Sequence, residues 1–171
     1  MTNYQLKGAH ISDCKKYRYS LWRTWDWQGP ASCVMFVGLN PSKADAVRDD
    51  LTITKCVGFA KRWGYGGICM LNLFAFRATN PLEMLAAKDP VGPRNEASFS
   101  YYRTRVGLIV AAWGGLDRKY REGVQWTVRI EKTVELINKP IYCLGCTQEG
   151  QPRHPSRLAY ATEYELWRPN T

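Results

Sequence analysis

The chain has 171 residues, 45% of them hydrophobic and 13% aromatic, so it can bury a core and is not a disordered segment. Its formal net charge of +9 favours polyanionic partners, chiefly nucleic acid. No apolar run reaches the roughly 20 residues that cross a bilayer, and residues 1–13 lack signal-peptide architecture. We therefore expect one cytoplasmic domain over residues 1–171, with no membrane partner.

The first half of the chain alternates strand and helix patterns. Charged and aromatic residues alternate over 15–25, which predicts a half-exposed strand. Residues 33–37 are apolar throughout, which is typical of a strand buried on both faces. A helix is expected over 51–63, ending at the glycines of 64–67, and a second apolar strand over 68–74.

The second half continues the alternation. Asn80-Pro81 is typical of a capped helix start and predicts a short helix through Ala87. The remaining expected elements are a helix from Asn95 towards Arg103, a strand over 106–112, a long helix over about 120–138 and a fourth strand over 140–144. The polar tail, 145–171, is expected to add no helix. We predict an α/β three-layer sandwich with a central, mostly parallel four-stranded sheet and an N-terminal edge strand or hairpin.

Six cysteines are dispersed along the chain, and four of them lie in apolar segments. Cys143 and Cys146 have the spacing of redox and metal sites, but no second Cys pair or His pair lies at zinc-finger spacing. Because Cys143 falls on the predicted fourth strand, we expect both thiols to be reduced core or strand-end residues. The sequence therefore predicts neither a metal nor a cofactor.

The loop after the first buried strand is the leading candidate site, because ligands of parallel α/β sheets bind at the carboxyl ends of strands. Gly38 permits a close backbone approach, and Asn40 projects an amide that can donate and accept hydrogen bonds. Pro41 stiffens the loop, and Ser42 is placed to cap the segment that follows. The alternative is an Asx-type turn with no further role.

Two more polar residues stand at predicted strand ends. Asn72 interrupts an apolar strand, where a buried amide is costly unless it forms hydrogen bonds. It is either a satisfied structural amide or a group facing a pocket, where it matches the donor and acceptor edge of a nucleobase. His154 lies in a loop that Pro152 and Pro155 make rigid, so it has no core to fill and we expect a functional role for it.

Three carboxylates follow the first loop, those of Asp45, Asp49 and Asp50. A solvated cluster that caps the next helix is the simpler interpretation. The alternative is that one of them supplies the carboxylate of a hydrolytic mechanism.

Taken in order, these strand ends resemble the motifs of the uracil-DNA glycosylase superfamily. The matching segments are Gly38-Leu39-Asn40-Pro41, similar to the Asn-bearing water-positioning loop, Met70-Leu71-Asn72, Ala112-Trp113-Gly114 and His154-Pro155-Ser156. Each motif is short, but their order and their spread over most of the chain make the set more specific. The pattern is also similar to a bacterial and phage domain family of unknown function, with the hallmarks Asp-Asp-x-Thr, Asn-Leu-Phe-Ala and Pro-Arg-His-Pro.

The resemblance implies a monofunctional DNA glycosylase, a hydrolase that extrudes a modified or damaged base from DNA and cleaves its N-glycosidic bond. Such an activity would serve DNA repair or act on a hypermodified phage base. Asn40 would orient the attacking water, which an amide cannot deprotonate. His154 would stabilise the departing base.

The resemblance also implies where substrate is held. The base site would be lined by Gly38, Asn72 and Trp113. No aromatic residue directly follows the first motif, so Phe74 or Phe36 is expected to stack on the base instead. Phosphates would be contacted by the basic residues beside the loops, Lys43, Arg153 and Arg157. The loops would be supported by Pro41, Ser42 and Ser156.

DNA is thus the expected partner and a monomer the expected state. The same residues are compatible with two other functions, because Asn40 stands in place of a carboxylate. One is a non-catalytic binder of a modified base, which would bind DNA in a salt-dependent way and release no product. The other is an enzyme that acts on free nucleosides or nucleotides in a DNA-modification pathway.

Overall fold

A computed structural model describes residues 3–115 and 126–169 of the chain. Its strands are β1 (Leu6–Ile11), β2 (Arg18–Thr24), β3 (Cys33–Gly38), β4 (Gly67–Asn72), β5 (Leu108–Ala111), β6 (Tyr142–Cys143) and β7 (Glu165–Leu166). Its helices are α1 (Leu51–Arg62), α2 (Pro81–Leu85), α3 (Asn95–Tyr102) and α4 (Trp126–Ile137). Two short 3-10 turns, Pro30–Ser32 and Pro155–Arg157, complete the regular structure of the described residues.

The strands form one seven-stranded mixed sheet in the order β1-β2-β4-β3-β5-β6-β7. Strands β4, β3, β5 and β6 are parallel to their neighbours within that group. The pairs β1–β2, β2–β4 and β6–β7 are antiparallel. The predicted sandwich around a four-stranded, mostly parallel sheet is therefore wrong, although the chain is α/β in the general sense.

The added strands have a physical explanation. Strand β1 is largely exposed and β7 consists of two exposed residues, so neither carries an apolar pattern, and both are held by backbone pairing. Strand β2 is almost wholly buried instead of half-exposed, because α3 contacts it and the segment after β3 accepts hydrogen bonds from its Arg18 and Arg23 side chains. Residues 120–125 of the predicted long helix lie outside the described residues.

Alternate residues of β3 face two separate hydrophobic clusters. Met35 and Val37 pack with residues of α2, α3 and α4, whereas Val34 and Phe36 pack with the buried face of α1. The helices thus cover both faces of the sheet. Among the described residues, no helix is long and apolar enough to cross a membrane.

The register of the parallel strands aligns their carboxyl ends. Gly38, the last residue of β3, is the direct partner of Asn72, the last residue of β4. Val37 is the partner of Ala111, which ends β5 two residues before Trp113. Three strand ends therefore meet at one edge of the sheet.

Candidate functional site

A cavity of about 170 Å³ opens where these strand ends meet. Predicted site residues that line it are Gly38, Asn40, Ser42, Asp50, Asn72, Trp113 and His154. Ligand pockets for larger molecules span about 300–1,000 Å³, whereas a cavity of about 150 Å³ holds benzene. The cavity therefore fits a single six-membered ring better than a fused ring system.

The end of β4 is fixed by buried polar groups from two helices. Nδ2 of Asn95 donates to the backbone oxygens of Asn72 and Leu73, each over 3.1 Å. Nε of Arg129 donates to the same Leu73 oxygen over 2.6 Å. These contacts satisfy carbonyl groups that leave the sheet ladder, so the strand end is rigid where it meets the cavity.

The Asn72 side chain is nearly buried, with 4% exposure, and is oriented by Arg18. Its Oδ1 accepts a hydrogen bond from Nη2 of Arg18 over 3.2 Å. Its Nδ2 lies against Gly38, where a Cβ atom would approach to 2.7 Å, and donates to no described residue. The amide protons of Asn72 therefore remain available to a ligand in the cavity, and only glycine fits opposite them.

Arg18 also lines the cavity, although the alternating pattern of its segment marked it only as one of several basic strand residues. Its Nη1 donates to the Ala44 oxygen over 2.8 Å, while its buried Nε has no hydrogen-bond partner in the part of the chain that the structure describes. Burial lowers the pKa of Arg18 to about 10, with the charge of Asp50 opposing that shift, so the guanidinium stays charged at neutral pH. Within the described ranges no carboxylate forms an ion pair with Arg18, which leaves a buried positive charge beside the cavity.

His154 is held in one tautomer by its own loop. Its Nδ1 accepts a hydrogen bond from the Ser156 backbone N–H over 3.3 Å and lies 2.8 Å from the Ser156 hydroxyl. Because Nδ1 is the acceptor, the ring proton resides on Nε2. Burial lowers the pKa of His154, which favours the neutral ring, and the residue lines the cavity.

Gly114 allows the His154 loop to approach β5. Its φ is +75°, a conformation that L side chains rarely adopt. A Cβ atom at Gly114 would lie only 3.2 Å from Cβ of His154. The glycine of the third predicted motif thus makes room for the histidine of the fourth.

Asp50 caps the helix that follows the first loop and also lines the cavity. Its Oδ1 accepts a hydrogen bond from the Ile53 backbone N–H over 2.9 Å and caps the N-terminus of α1. The charge of Asp50 offsets part of the lowering that burial causes in the pKa values of Arg18 and His154, because the carboxylate lies near both groups. The second oxygen, Oδ2, accepts no hydrogen bond from the described residues.

The other two carboxylates of this segment have structural partners and do not line the cavity. Asp45 accepts hydrogen bonds from the backbone N–H groups of Val47 and Arg48, each over 2.8 Å, which lower its pKa. Asp49 forms an ion pair with Nε of Arg23 over 2.7 Å and accepts from the Tyr4 hydroxyl over 2.6 Å. Of the three acids, only Asp50 is placed to contact a bound molecule in the cavity.

The Asn40 amide is anchored through one end only. Its Nδ2 donates to the Ala78 oxygen over 2.8 Å and to the Pro41 oxygen over 3.2 Å. Its Oδ1 accepts no hydrogen bond within the described residues, although Asn40 lines the cavity. The amide oxygen is therefore free to accept a hydrogen bond from a water molecule.

The aromatic residues divide between cavity and core. Trp113 lines the cavity, but its Nε1 donates to Oε1 of Gln151 over 3.1 Å and its ring packs edge-on against Trp167. Phe74 is buried in the core, parallel to Trp126 at 6.4 Å, and Phe36 is buried against Trp63. Neither phenylalanine is among the residues that line the cavity.

The remaining predicted residues flank the cavity. Three exposed basic side chains lie on its loops, those of Lys43, Arg153 and Arg157. The backbone oxygen of Pro41 accepts from the Ala78 N–H over 3.0 Å, which fastens the first loop to the segment after β4. Away from the cavity, one cluster among the described residues has the ligand atoms for a metal ion, namely Cys143, Cys146 and Glu165.

Comparison with known proteins gives one match. A family model described as a protein of unknown function (DUF1643) matches residues 18–156. No curated protein and no solved structure matches the chain. The matched range includes every residue described above at the cavity, from Arg18 to His154.

Proposed function

The chain belongs to the DUF1643 family, whose function is unknown, and we propose that it is a glycosylase that hydrolyses the N-glycosidic bond of a modified or damaged base in DNA. One observation carries the proposal. A water-orienting amide (Asn40), a carboxylate (Asp50), a neutral imidazole (His154) and a free amide donor (Asn72) converge on one cavity of about 170 Å³, the size of a single ring.

In this proposal Asp50 supplies the general base, which the amide of Asn40 cannot be. An amide orients water but takes no proton from it, whereas a carboxylate with a free oxygen serves as a general base. Asn40 Oδ1 and Asp50 Oδ2 would each accept a hydrogen bond from the attacking water, and Asp50 would take one proton from it. The water oxygen then bonds to the anomeric carbon as the bond from that carbon to the base breaks.

The departing base carries negative charge, which two groups of the cavity would stabilise. The Nε2–H of His154 donates a hydrogen bond without first needing to be charged. The buried guanidinium of Arg18 forms no ion pair with a described residue and adds a fixed positive charge. Charges and donors that are already in place act more strongly in a site with little water.

Asn72 and the cavity size favour a pyrimidine derivative. The Nδ2 group of Asn72 would donate to a carbonyl oxygen at the base edge, and Gly38 lets the ring approach the end of the sheet. A base enters such a cavity only after it leaves the helical stack. Phosphates on either side would then meet the exposed side chains of Lys43, Arg153 and Arg157, consistent with the net charge of +9.

The test is an incubation of the full chain with oligonucleotides that carry uracil, hydroxymethyluracil or other modified pyrimidines, followed by alkali to cleave abasic sites. We expect base release from at least one substrate and its loss in Asn40→Ala, Asp50→Asn and His154→Ala. Asp45→Asn is the matched control, because that neighbouring acid does not line the cavity.

Two other results of these assays would each point to a different function. Salt-dependent DNA binding that the cavity variants weaken, without abasic sites on any substrate, would replace the enzyme by a non-catalytic base binder. Turnover of free nucleosides or nucleotides but not of oligonucleotides would show that the substrate is a small molecule and not DNA.

A further inference from the structure

The far edge of the sheet brings two thiols and a carboxylate together. Cys143 on β6 is the direct cross-strand partner of Glu165 on β7. Gly145, with φ at +82°, turns the chain after β6 so that Cys146 returns towards Cys143. The sulfur atoms of the two cysteines are 3.8 Å apart, and all three ligand atoms lie within 4.8 Å of one another.

These distances match a tetrahedral zinc site. Zinc bonds thiolate sulfur at about 2.3 Å, so two sulfurs on one tetrahedral zinc are separated by about 3.8 Å. Carboxylate oxygen bonds zinc at about 2.0–2.2 Å, within reach of the same centre. Cys143 is buried, whereas Cys146 and Glu165 are exposed, so the fourth position faces solvent.

The carboxylate distinguishes a metal site from a redox pair. Two cysteines separated by two residues also form disulfides, but a disulfide gains nothing from Glu165. A cation gains a third ligand from it, because its carboxylate oxygen and the two sulfur atoms all lie within 4.8 Å of one another. The spacing of the cysteines alone does not reveal this, because Glu165 lies in the tail and reaches the pair only through the pairing of β6 with β7.

We propose that Cys143, Cys146 and Glu165 bind one zinc ion, with water as the fourth ligand. Strands β6 and β7 have only two residues each, so their pairing alone stabilises this edge of the sheet only weakly. The zinc ion would join β7 to β6 and to the start of the loop that leads to His154. That loop is closed by hydrogen bonds from Thr147 N–H to the Gln151 oxygen and from Arg153 N–H to the Gly145 oxygen.

The experiment uses the full chain without a histidine tag, stripped of metal and kept reduced. Zinc is titrated in competition with a chromophoric chelator, and cobalt is substituted to record thiolate charge-transfer absorption. We expect one zinc ion per chain. Cys143→Ser and Cys146→Ser should each lower the affinity by more than the roughly 10- to 100-fold that loss of an outer-shell partner costs, with a smaller loss in Glu165→Gln.

Two controls keep the result independent of folding and of catalysis. Cys14→Ser removes an exposed thiol that is not part of the cluster and should leave zinc binding unchanged. In the unmodified chain, zinc should slow alkylation of Cys146 but not of Cys14. Substoichiometric zinc uptake, uptake unchanged in both cysteine variants, or a Cys143–Cys146 disulfide trapped in freshly lysed cells would overturn the proposal.

Discussion

Nη2 of Arg18 donates a hydrogen bond to Oδ1 of Asn72 over 3.2 Å, across 54 positions of sequence. The contact joins the antiparallel strand β2 to the end of the parallel strand β4. It turns Nδ2 of Asn72 towards the cavity and holds a buried positive charge beside it. The Asn72 amide and the cation that orients it are therefore one unit.

Arg18→Lys tests that unit. Lysine keeps the charge but cannot donate to both Asn72 Oδ1 and the Ala44 oxygen, so one buried acceptor loses its partner. We expect the free energy of unfolding to fall by about 1–3 kcal/mol in urea titrations. The single-turnover rate of base release should fall by about 10²- to 10³-fold, because Asn72 is no longer fixed. Arg62→Lys on the exposed face of α1 should change neither quantity.

The two roles of Asp50 are separable by the choice of substitution. Asparagine caps helices about as well as aspartate, so Asp50→Asn should keep the stability of α1 while the rate of base release falls by about 10²- to 10⁴-fold. Asp50→Ala should lose the same activity and, in addition, about 1 kcal/mol of unfolding free energy. Thermal unfolding and single-turnover assays measure the two effects. Equal activity in Asp50→Asn and the unmodified chain would remove Asp50 from the mechanism.

The lowered pKa of His154 makes stability depend on pH in a defined direction. Burial favours the neutral ring in the folded chain, whereas the unfolded chain takes up the proton near the ordinary histidine pKa of about 6.5. The contribution is therefore fully present above that value and is lost as pH falls from there to the lowered folded pKa. His154→Asn should flatten this part of the pH profile of the urea midpoint. A profile that is identical in the variant would contradict a partly buried, neutral His154.

Two adjacent glycines form a matched pair for the His154 loop. Gly114→Ala forces a side chain onto a residue with φ of +75° and places its Cβ 3.2 Å from Cβ of His154. We expect a loss of about 1–2 kcal/mol in unfolding free energy and a lower rate of base release. Gly115→Ala places its Cβ 3.7 Å from Thr147, an ordinary contact, and should leave both unchanged. Indistinguishable variants would show that the close approach does not matter.

Local patterns predicted the elements that depend on local physics. Strands β3 and β4 and the start of α1 lie within one or two residues of the expected positions. The reason is that apolar runs and helix caps are formed by residues that are adjacent in sequence. Asn72 stood out for the same reason, as a polar residue in an apolar strand. Strands β1 and β7 could not be found in this way, since exposed edge strands are stabilised by backbone pairing and carry no apolar period.

The rest of the site depends on contacts between distant segments. The alternating pattern marked Arg18 as a strand residue, but its burial follows from contacts of its guanidinium with Ala44 and Asn72, which lie far away in sequence. Phe74 follows Asn72 closely in sequence, yet it packs in the core against Trp126. The surroundings of these two side chains cannot be inferred from spacing alone, because they are formed by strands and helices that are distant in sequence.

The position of β2 also limits how the protein can be shortened. Strands β1 and β2 form an N-terminal hairpin, and β1 is the edge strand of the sheet. Here the second strand of that hairpin brings Arg18 to the floor of the cavity, so a fragment beginning at β3 would keep the loops of the site and lose the cation beneath them. The smallest fragment that keeps the whole site must therefore start before β2.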